Sequence, residues 1–269
     1  MENYFDGKNI RDEILNDLAN RVVNMERKPT MAVFLIGDNP ICKQYVELKK
    51  KMAEKTGILF CLYSFDEKDS EEEIMSAIDF LNNDSETDGI MIQIPLPKAF
   101  DRQKLIEKIS PDKDIDGLRF CAGLDSKFKP PVVLAILDAI NRSETRLNSK
   151  TKIAQIGAGF LVGAPLKKCL TQDFESVDLK MVDKNKNDMV EIIKDADIII
   201  SATGMPKLVK EEMVKEGVVL IDAGTAEENG NLIGDIDPEA YKKARYYTPV
   251  PGGIGPVTIA MLFKNVVGE

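Results

Sequence analysis

The sequence contains no histidine and no tryptophan. Without histidine there is no Ser-His-Asp triad, no Cys-His pair and no histidine metal site. Acid–base work must fall to Lys, Tyr, Asp, Glu or a cofactor. Cysteine is scarce as well. Cys42, Cys61, Cys121 and Cys169 stand far apart with no CxxC pair, which reads as reduced thiols rather than disulfides or a zinc site. No apolar run approaches the roughly 18 residues of a membrane span. The opening MENYFDGKNIRDEIL is acidic and amphipathic, unlike a signal peptide. Basic residues, 36 against 45 acidic ones, leave a net charge of −9. That disfavours broad contact with nucleic acid but permits a local basic pocket for a small anion. The chain is therefore expected to be cytoplasmic, with no nucleic-acid or membrane partner and no bound metal.

What is present is an ordinary globular composition, 43% hydrophobic and 30% charged over 269 residues, enough for one large domain or two modest ones. Apolar residues Ile10, Ile14, Leu18 and Val22 recur at helical spacing. MAVFLIG reads as a buried strand, and ICKQYVELKKKMAEKTGI as a helix stopped at Gly57. A second strand, ILFCLYSF, precedes a helix with Ser70 as N-cap and Glu73 three residues on, a capping box. GIMIQI is a third strand, cut off by PLPKAF. The stretch LAILDAINRSETRLNSK runs from apolar helix into polar sequence, and the domain boundary is placed there. Beyond it the pattern alternates again: strands over 152–156, 177–182, 197–202 and 217–222, helices over 161–171 and 187–194, and a short helix near 210–215. PVTIAMLFKNVV is a final helix. Such alternation predicts an α/β fold built on parallel sheets.

The segment QIGAGFLVGAP follows a strand and opens a helix, with glycines at 157, 159 and 163. Its spacing is GxGxxxG, and a glycine turn of this kind also occurs as a plain strand–helix connection. Its place in a βαβ unit favours a dinucleotide cradle, in which Gly157 permits the turn and Gly159 lets backbone amides approach a pyrophosphate. The next strand ends in Asp183, near the position of a ribose-binding carboxylate. Tyr45 and Lys49 are an i,i+4 pair on one helix face; with Lys50 and Lys51 following, a solvated charged face is the competing reading. Gln93 sits in an apolar strand end, where it must find a partner or face a ligand. In PDKDIDGL, Asp112, Asp114 and Asp116 precede Gly117; the alternatives are a turn, a helix cap or a weak cation site, and the calcium-loop pattern is incomplete. TPVPGGIGPVT crowds three prolines and three glycines into a specified rigid loop before the last helix.

In this order, YVELKKKMAEKTGI, GIMIQIPLPKAF, PDKDIDGL, GAGFLVGAP, ADIIISATGMP and TPVPGGIGPVTIAM resemble the bifunctional methylenetetrahydrofolate dehydrogenase/methenyltetrahydrofolate cyclohydrolase family of FolD type, across nearly the whole chain. The resemblance implies a folate-binding catalytic domain over 1–138 and 252–269 and a Rossmann-like dinucleotide-binding domain over 139–251. It implies a cleft between them, a C-terminal helix returning to the first domain, and a homodimer through the cofactor domains. The implied reactions are oxidation of 5,10-methylene-tetrahydrofolate to the 5,10-methenyl form and hydrolysis to 10-formyl-tetrahydrofolate, a multifunctional oxidoreductase and hydrolase of one-carbon metabolism that feeds purine biosynthesis.

The same resemblance gives roles to residues. Lys49 activates the water, Gln93 positions Lys49, Tyr45 orients the folate ring, and Asp116 accepts from the pterin edge. Ile92, Ile94, Val250, Pro251, Gly252, Gly253, Ile254, Gly255 and Pro256 line the folate site. Gly157, Ala158, Gly159, Val162, Gly163, Pro165, Asp183, Thr203, Gly204 and Thr225 hold the dinucleotide. The chain departs from the family where Arg-Ser is usual (Ala158-Gly159), where Gly-Ile-Asn is usual (Gly224-Thr225-Ala226), at KPPVV and at VDKNK. Loss of that arginine, with an acid at Asp183, favours NAD over NADP; Lys184 and Lys186 argue the other way. Alternatives are a member with one of the two activities, a non-enzymatic nucleotide-binding module, or another dehydrogenase of similar architecture, which would lack the TPVPGGIGP loop.

Overall fold

The computed structural model describes residues 4–174, 177–183, 188–228 and 230–268. The chain divides into two compact units, Arg11–Pro131 with Ile259–Glu269, and Met1–Ile10 with Val132–Thr258. A boundary at 138/139 would fall inside a continuous helix, and the division comes at that helix's first residues instead.

The first unit runs α1 (Gly7–Val22, with its first residues in the other unit), β1 (Thr30–Ile36), α2 (Pro40–Thr56), β2 (Leu59–Phe65), α3 (Glu71–Asn83), β3 (Gly89–Ile92), α4 (Arg102–Lys108) and α5 (Leu118–Cys121). Its sheet has the order β2-β1-β3, all parallel. The central strand β1 is apolar and buried on both faces from Met31 to Ile36, as a covered parallel sheet requires. Asn39 caps α2, accepting from the amides of Ile41 and Cys42, and Pro40 occupies the first turn. Gly57 ends the helix in the left-handed region, and Ser70 and Glu73 close the capping box of α3. Leu18, Met31, Val33, Val46 and Met52 form a core with Leu262, Phe263 and Val266 of the C-terminal helix. Buried Asn265 pins that helix, donating to the carbonyls of Ile115 (2.8 Å) and Lys129 (3.1 Å).

The second unit comprises α6 (Pro131–Arg142, from its second residue), β4 (Lys152–Ile156), α7 (Gly163–Asp173), β5 (Asp178–Val182), α8 (Met189–Asp195), β6 (Ile198–Ser201), β7 (Val218–Asp222), β8 (Ala226–Glu228), β9 (Asn231–Ile233), β10 (Ala244–Tyr247) and the start of α9 (Ile254–Val267). The parallel strands take the order β10-β7-β6-β4-β5, while β8 and β9 make a separate antiparallel hairpin. Counted along the chain, this is a doubly wound 2-1-3-4-5 order whose switch point lies between β4 and β6. Several elements differ from the sequence expectation. The helix near 210–215 is a single 3-10 turn, Glu211–Met213; α7 starts at Gly163 rather than 161; β10 and the hairpin strands β8 and β9 have no counterpart in that expectation.

Candidate active site

In the first unit, α2 and the end of β3 bring Lys49 and Gln93 together. Phe34 pairs with Ile92, and the Gln93 amide continues the ladder by donating to Phe34 O (2.9 Å). The Gln93 side chain, 8% exposed, accepts from Lys49 Nζ at 2.8 Å and donates through Nε2 to Ile94 O at 2.8 Å. The second bond fixes which end of the amide faces the lysine, since a flipped amide would set two oxygens against each other. Burial pulls the Lys49 ammonium below its ordinary pKa, opposed by Asp116 and then Cys42. Cys42 lies two turns earlier on α2, with its thiol directed at Pro95 O (3.8 Å) and pushed up by burial.

Asp116 keeps some solvent exposure but is densely surrounded by protein, and no described residue hydrogen-bonds to its carboxylate. Burial raises it to about 6, with Lys49 opposing and Asp114 adding to the rise. Asp114 is of another kind. It is fully buried and accepts from the amides of Leu118 (3.0 Å) and Arg119 (2.8 Å) and from Ser126 Oγ (3.0 Å). It thus caps α5 and holds in place the turn that carries Asp116. Asp112 is exposed. Among the described residues no group of three or more His, Cys, Asp or Glu side chains could hold a metal ion. Tyr45, one turn before Lys49, is 46% exposed; Ile92 is buried in the core and Ile94 half-buried.

In the second unit, the glycine turn lies at the switch point. Gly157 has φ +99°, and a Cβ there would stand 2.6 Å from Ala202 O, at the end of β6. A Cβ at Gly163 would stand 2.3 Å from Gly157 O, so the turn closes on itself only with glycine at both places. Gly159 meets nothing within 4 Å, and Ala158 and Gly159 are exposed. No side chain caps α7; its start is held by Ala164 N–H to Gly159 O (3.0 Å) and Leu166 N–H to Val162 O (2.9 Å), with Pro165 buried in the first turn. A buried glutamine, Gln155, clamps the turn through Nε2, donating to Gly163 O (2.6 Å) and Gly157 O (3.3 Å).

Ile156 pairs with Val182, so exposed Asp183 comes abreast of Gly157. Lys184 and Lys186 lie outside the described residues. Thr203 and Gly204 follow β6, and Thr225 is exposed in the turn after β7. The loop from Val250 to Pro256 is anchored at Thr248, whose Oγ1 accepts from the Asp222 amide (2.7 Å) and whose own amide donates to Leu220 O. Within it Gly252 has φ +108°, Gly253 packs on Pro249 O, and Ile254 and Gly255 begin α9. The buried residues Gln155, Asp222 and Asp235 were not singled out from the sequence. A glutamine in an apolar strand was the one signal available for Gln155.

Two family descriptions match the chain. One, tetrahydrofolate dehydrogenase/cyclohydrolase, catalytic domain, covers residues 5–116; the other, the NAD(P)-binding domain of the same name, covers residues 130–269. The chain is 39% identical over 272 residues to the bifunctional protein FolD of Staphylococcus aureus, across 97% of this chain and 94% of that protein. It is 38% identical to the FolD protein of Halothermothrix orenii, across 99% and 97%. The solved bifunctional FolD enzyme of Campylobacter jejuni superposes with a TM-score of 0.91 at 34% identity, covering 98% of this chain and 96% of that one. That of Trypanosoma brucei, complexed with NADP cofactor and inhibitor, gives 0.89 at 28% identity, covering 98% and 95%.

Proposed function

The chain belongs to the tetrahydrofolate dehydrogenase/cyclohydrolase family, and from that premise we propose how its residues divide the NAD(P)-dependent oxidation of 5,10-methylene-tetrahydrofolate and the hydrolysis of the methenyl product to 10-formyl-tetrahydrofolate. One observation carries the reading. Lys49 Nζ donates to Gln93 Oε1 at 2.8 Å, within electrostatic reach of a carboxylate, Asp116, that no described residue satisfies. A half-buried, largely desolvated charge without a protein donor is costly and marks a place for ligand donors.

In hydrolysis, the neutral Lys49 amine takes a proton from water as the water oxygen bonds to the cationic methenyl carbon. The bond from that carbon to the other ring nitrogen then breaks as the nitrogen takes a proton back from the Lys49 ammonium and the new hydroxyl gives up its own to become the formyl C=O, so one proton is released overall and the formyl group stays on N10. An amine donates to Gln93 Oε1 in either protonation state, so Gln93 holds Lys49 in place without fixing its charge. The lowered pKa supplies the neutral form nearer neutral pH. Asp116 accepts from the paired N–H donors of the pterin edge, and Tyr45 and Ile94 lie against the folate.

The turn suits a dinucleotide, because the space that Cβ atoms would fill at Gly157 and Gly163 is needed by backbone, while Gly159 opens outward. A bound dinucleotide supplies the hydride acceptor. Backbone N–H groups of Gly157, Ala158, Gly159, Val162 and Gly163 would receive the pyrophosphate, with Pro165, which has no N–H, shaping the first turn of α7, and Thr203, Gly204 and Thr225 would border the other half. Asp183 accepts from the ribose hydroxyls and repels a 2′-phosphate, and Ala158 offers no guanidinium to attract one. NAD is therefore the preferred cofactor. The family likeness also supports a homodimer through the second units and a cytoplasmic place of action; a solution mass of one chain would overturn the dimer. Spectrophotometric assays with methylene-tetrahydrofolate and each of NAD⁺ and NADP⁺ test the whole reading. Absence of methenyl formation with both would reject it.

A further inference from the structure

Two aspartates of the second unit, Asp222 and Asp235, are buried to 1% and 0% exposure, and the proposed hydride chemistry uses neither. Asp222 ends β7; its Oδ1 accepts from the Gly224 amide (3.0 Å) and its Oδ2 from the Ile236 amide (2.8 Å). Asp235 follows the β8–β9 hairpin. Its Oδ2 accepts from Ser201 Oγ (2.7 Å), Thr203 N (2.6 Å) and Thr203 Oγ1 (2.8 Å). Its Oδ1 is buried and has no partner among the described residues.

Glycines bring the two carboxyls onto the same backbone. A Cβ at Gly224 would stand 2.1 Å from the Asp235 carboxyl carbon, and a Cβ at Gly234 would stand 2.2 Å from Asp222 Oδ2. Two carboxylates enclosed together in a dry place do not both stay ionised, and an unpartnered buried oxygen is where a shared proton satisfies both. In keeping with this, burial pushes Asp222 up to about 7, with the Asp235 charge adding to the rise against the Ile236 amide.

We propose that Asp222 and Asp235 are positioning residues of the dehydrogenase: a carboxyl pair, holding one proton, that ties Ser201 and Thr203 at the end of β6 to the Gly224–Thr225 turn after β7. This rests on the assignment of Thr203, Gly204 and Thr225 to the dinucleotide. Those two strand ends flank the cofactor, and the pair sets their spacing. Loss of the proton as pH rises leaves two like charges buried within electrostatic reach of each other, which loosens the β6 end and weakens the dinucleotide. The other titratable groups nearby are Tyr241, which faces Asp222, and Tyr247 and Asp237, which face Tyr241. Burial holds the Tyr241 phenol far above its usual range, so it stays neutral while the pair titrates.

The test is calorimetric binding of NAD⁺, whose phosphates keep their charge, to the full chain at about pH 6 and about pH 9. Wild type should bind about tenfold more weakly at the higher pH. Asp235→Asn keeps an acceptor for Thr203 and puts an N–H where the proton sat; it should restore binding and flatten the pH dependence. Asp235→Ala should bind weakly at both. Infrared spectra of wild type should carry a protonated-carboxyl band at the lower pH that is missing at the higher pH and from Asp235→Asn. If wild type binds NAD⁺ equally at both pH values and shows no such band, the pair has no such role. If neither NAD⁺ nor NADP⁺ binds wild type at any pH while the band is present, the cofactor assignment fails, and the positioning role with it. Circular dichroism of each variant separates loss of binding from loss of fold.

Discussion

The two units present their polar groups in opposite ways. In the first, the polar side chains themselves gather from separate elements into one site: Lys49 on α2, Gln93 just past β3, and Asp116 with no protein donor of its own. In the second, the surface positions of the cradle are an alanine and a glycine, and the polar side chains lie beneath it, with Gln155 clamping the turn and Asp222 and Asp235 bracing two strand ends. Chemistry in the first unit should thus be separable from stability, because its reactive groups make few bonds that the fold needs. In the second unit the two are joined, because ligand-shaping groups are also core groups.

The sharpest way to break this comparison is Lys49→Met. Hydrolysis of methenyl-tetrahydrofolate should fall by about 10²- to 10⁴-fold, while the melting temperature and dinucleotide affinity stay near wild type. A rate within a few-fold of wild type would remove Lys49 from the mechanism. Gly163→Ala is the counterpart in the second unit. Its Cβ would press on Gly157 O, and urea unfolding should show a loss of roughly 1–3 kcal/mol together with weaker dinucleotide binding. An unchanged midpoint would mean that the turn has room to shift.

Asp116→Asn should act in the reverse sense. The folded carboxyl is raised to about 6, above its unfolded value, so ionisation costs the folded state stability as pH rises from about 4 to about 6. The variant should therefore be more stable than wild type at pH 8, by about 2–3 kcal/mol, with the gap closing at pH 4. Its folate KM should rise at pH 8. A variant less stable at both pH values would mean that the carboxylate is already satisfied. The smallest effect concerns the cofactor: wild type should favour NAD⁺ in kcat/KM, and Asp183→Ser should erode that preference by about tenfold. A wild-type preference for NADP⁺ would show that groups other than Asp183 decide.

How much of this was legible depended on the range of the interactions. The capping box at Ser70, the stop at Gly57 and the Tyr45–Lys49 spacing are local, and their structural counterparts lie where the sequence places them. Gln93 stood out because it breaks an apolar run. By contrast, β10 is four residues long and contains Arg245, so no periodicity marks it. The 211–213 segment has a helical composition but only three residues in which to form one 3-10 turn. Asp222 and Asp235 carry meaning only through pairing across 13 positions and through the bonds of Asp235 to Ser201 and Thr203, more than thirty residues before it. In PDKDIDGL the three acids read alike in sequence. Folding separates them into an exposed turn residue (Asp112), a buried cap (Asp114) and an unsatisfied carboxylate (Asp116).

The central claim, that the first unit's chemistry depends on a lysine able to give up its proton, is tested most directly by Lys49→Arg. Arginine keeps the positive charge and can still donate to Gln93 Oε1, but it does not deprotonate in this pH range. The measurement is the hydrolysis rate of methenyl-tetrahydrofolate, corrected for the uncatalysed reaction, alongside folate affinity. The account predicts a rate near the uncatalysed one with folate binding retained. Hydrolysis at close to the wild-type rate would show that Lys49 supplies only charge, and would contradict the account.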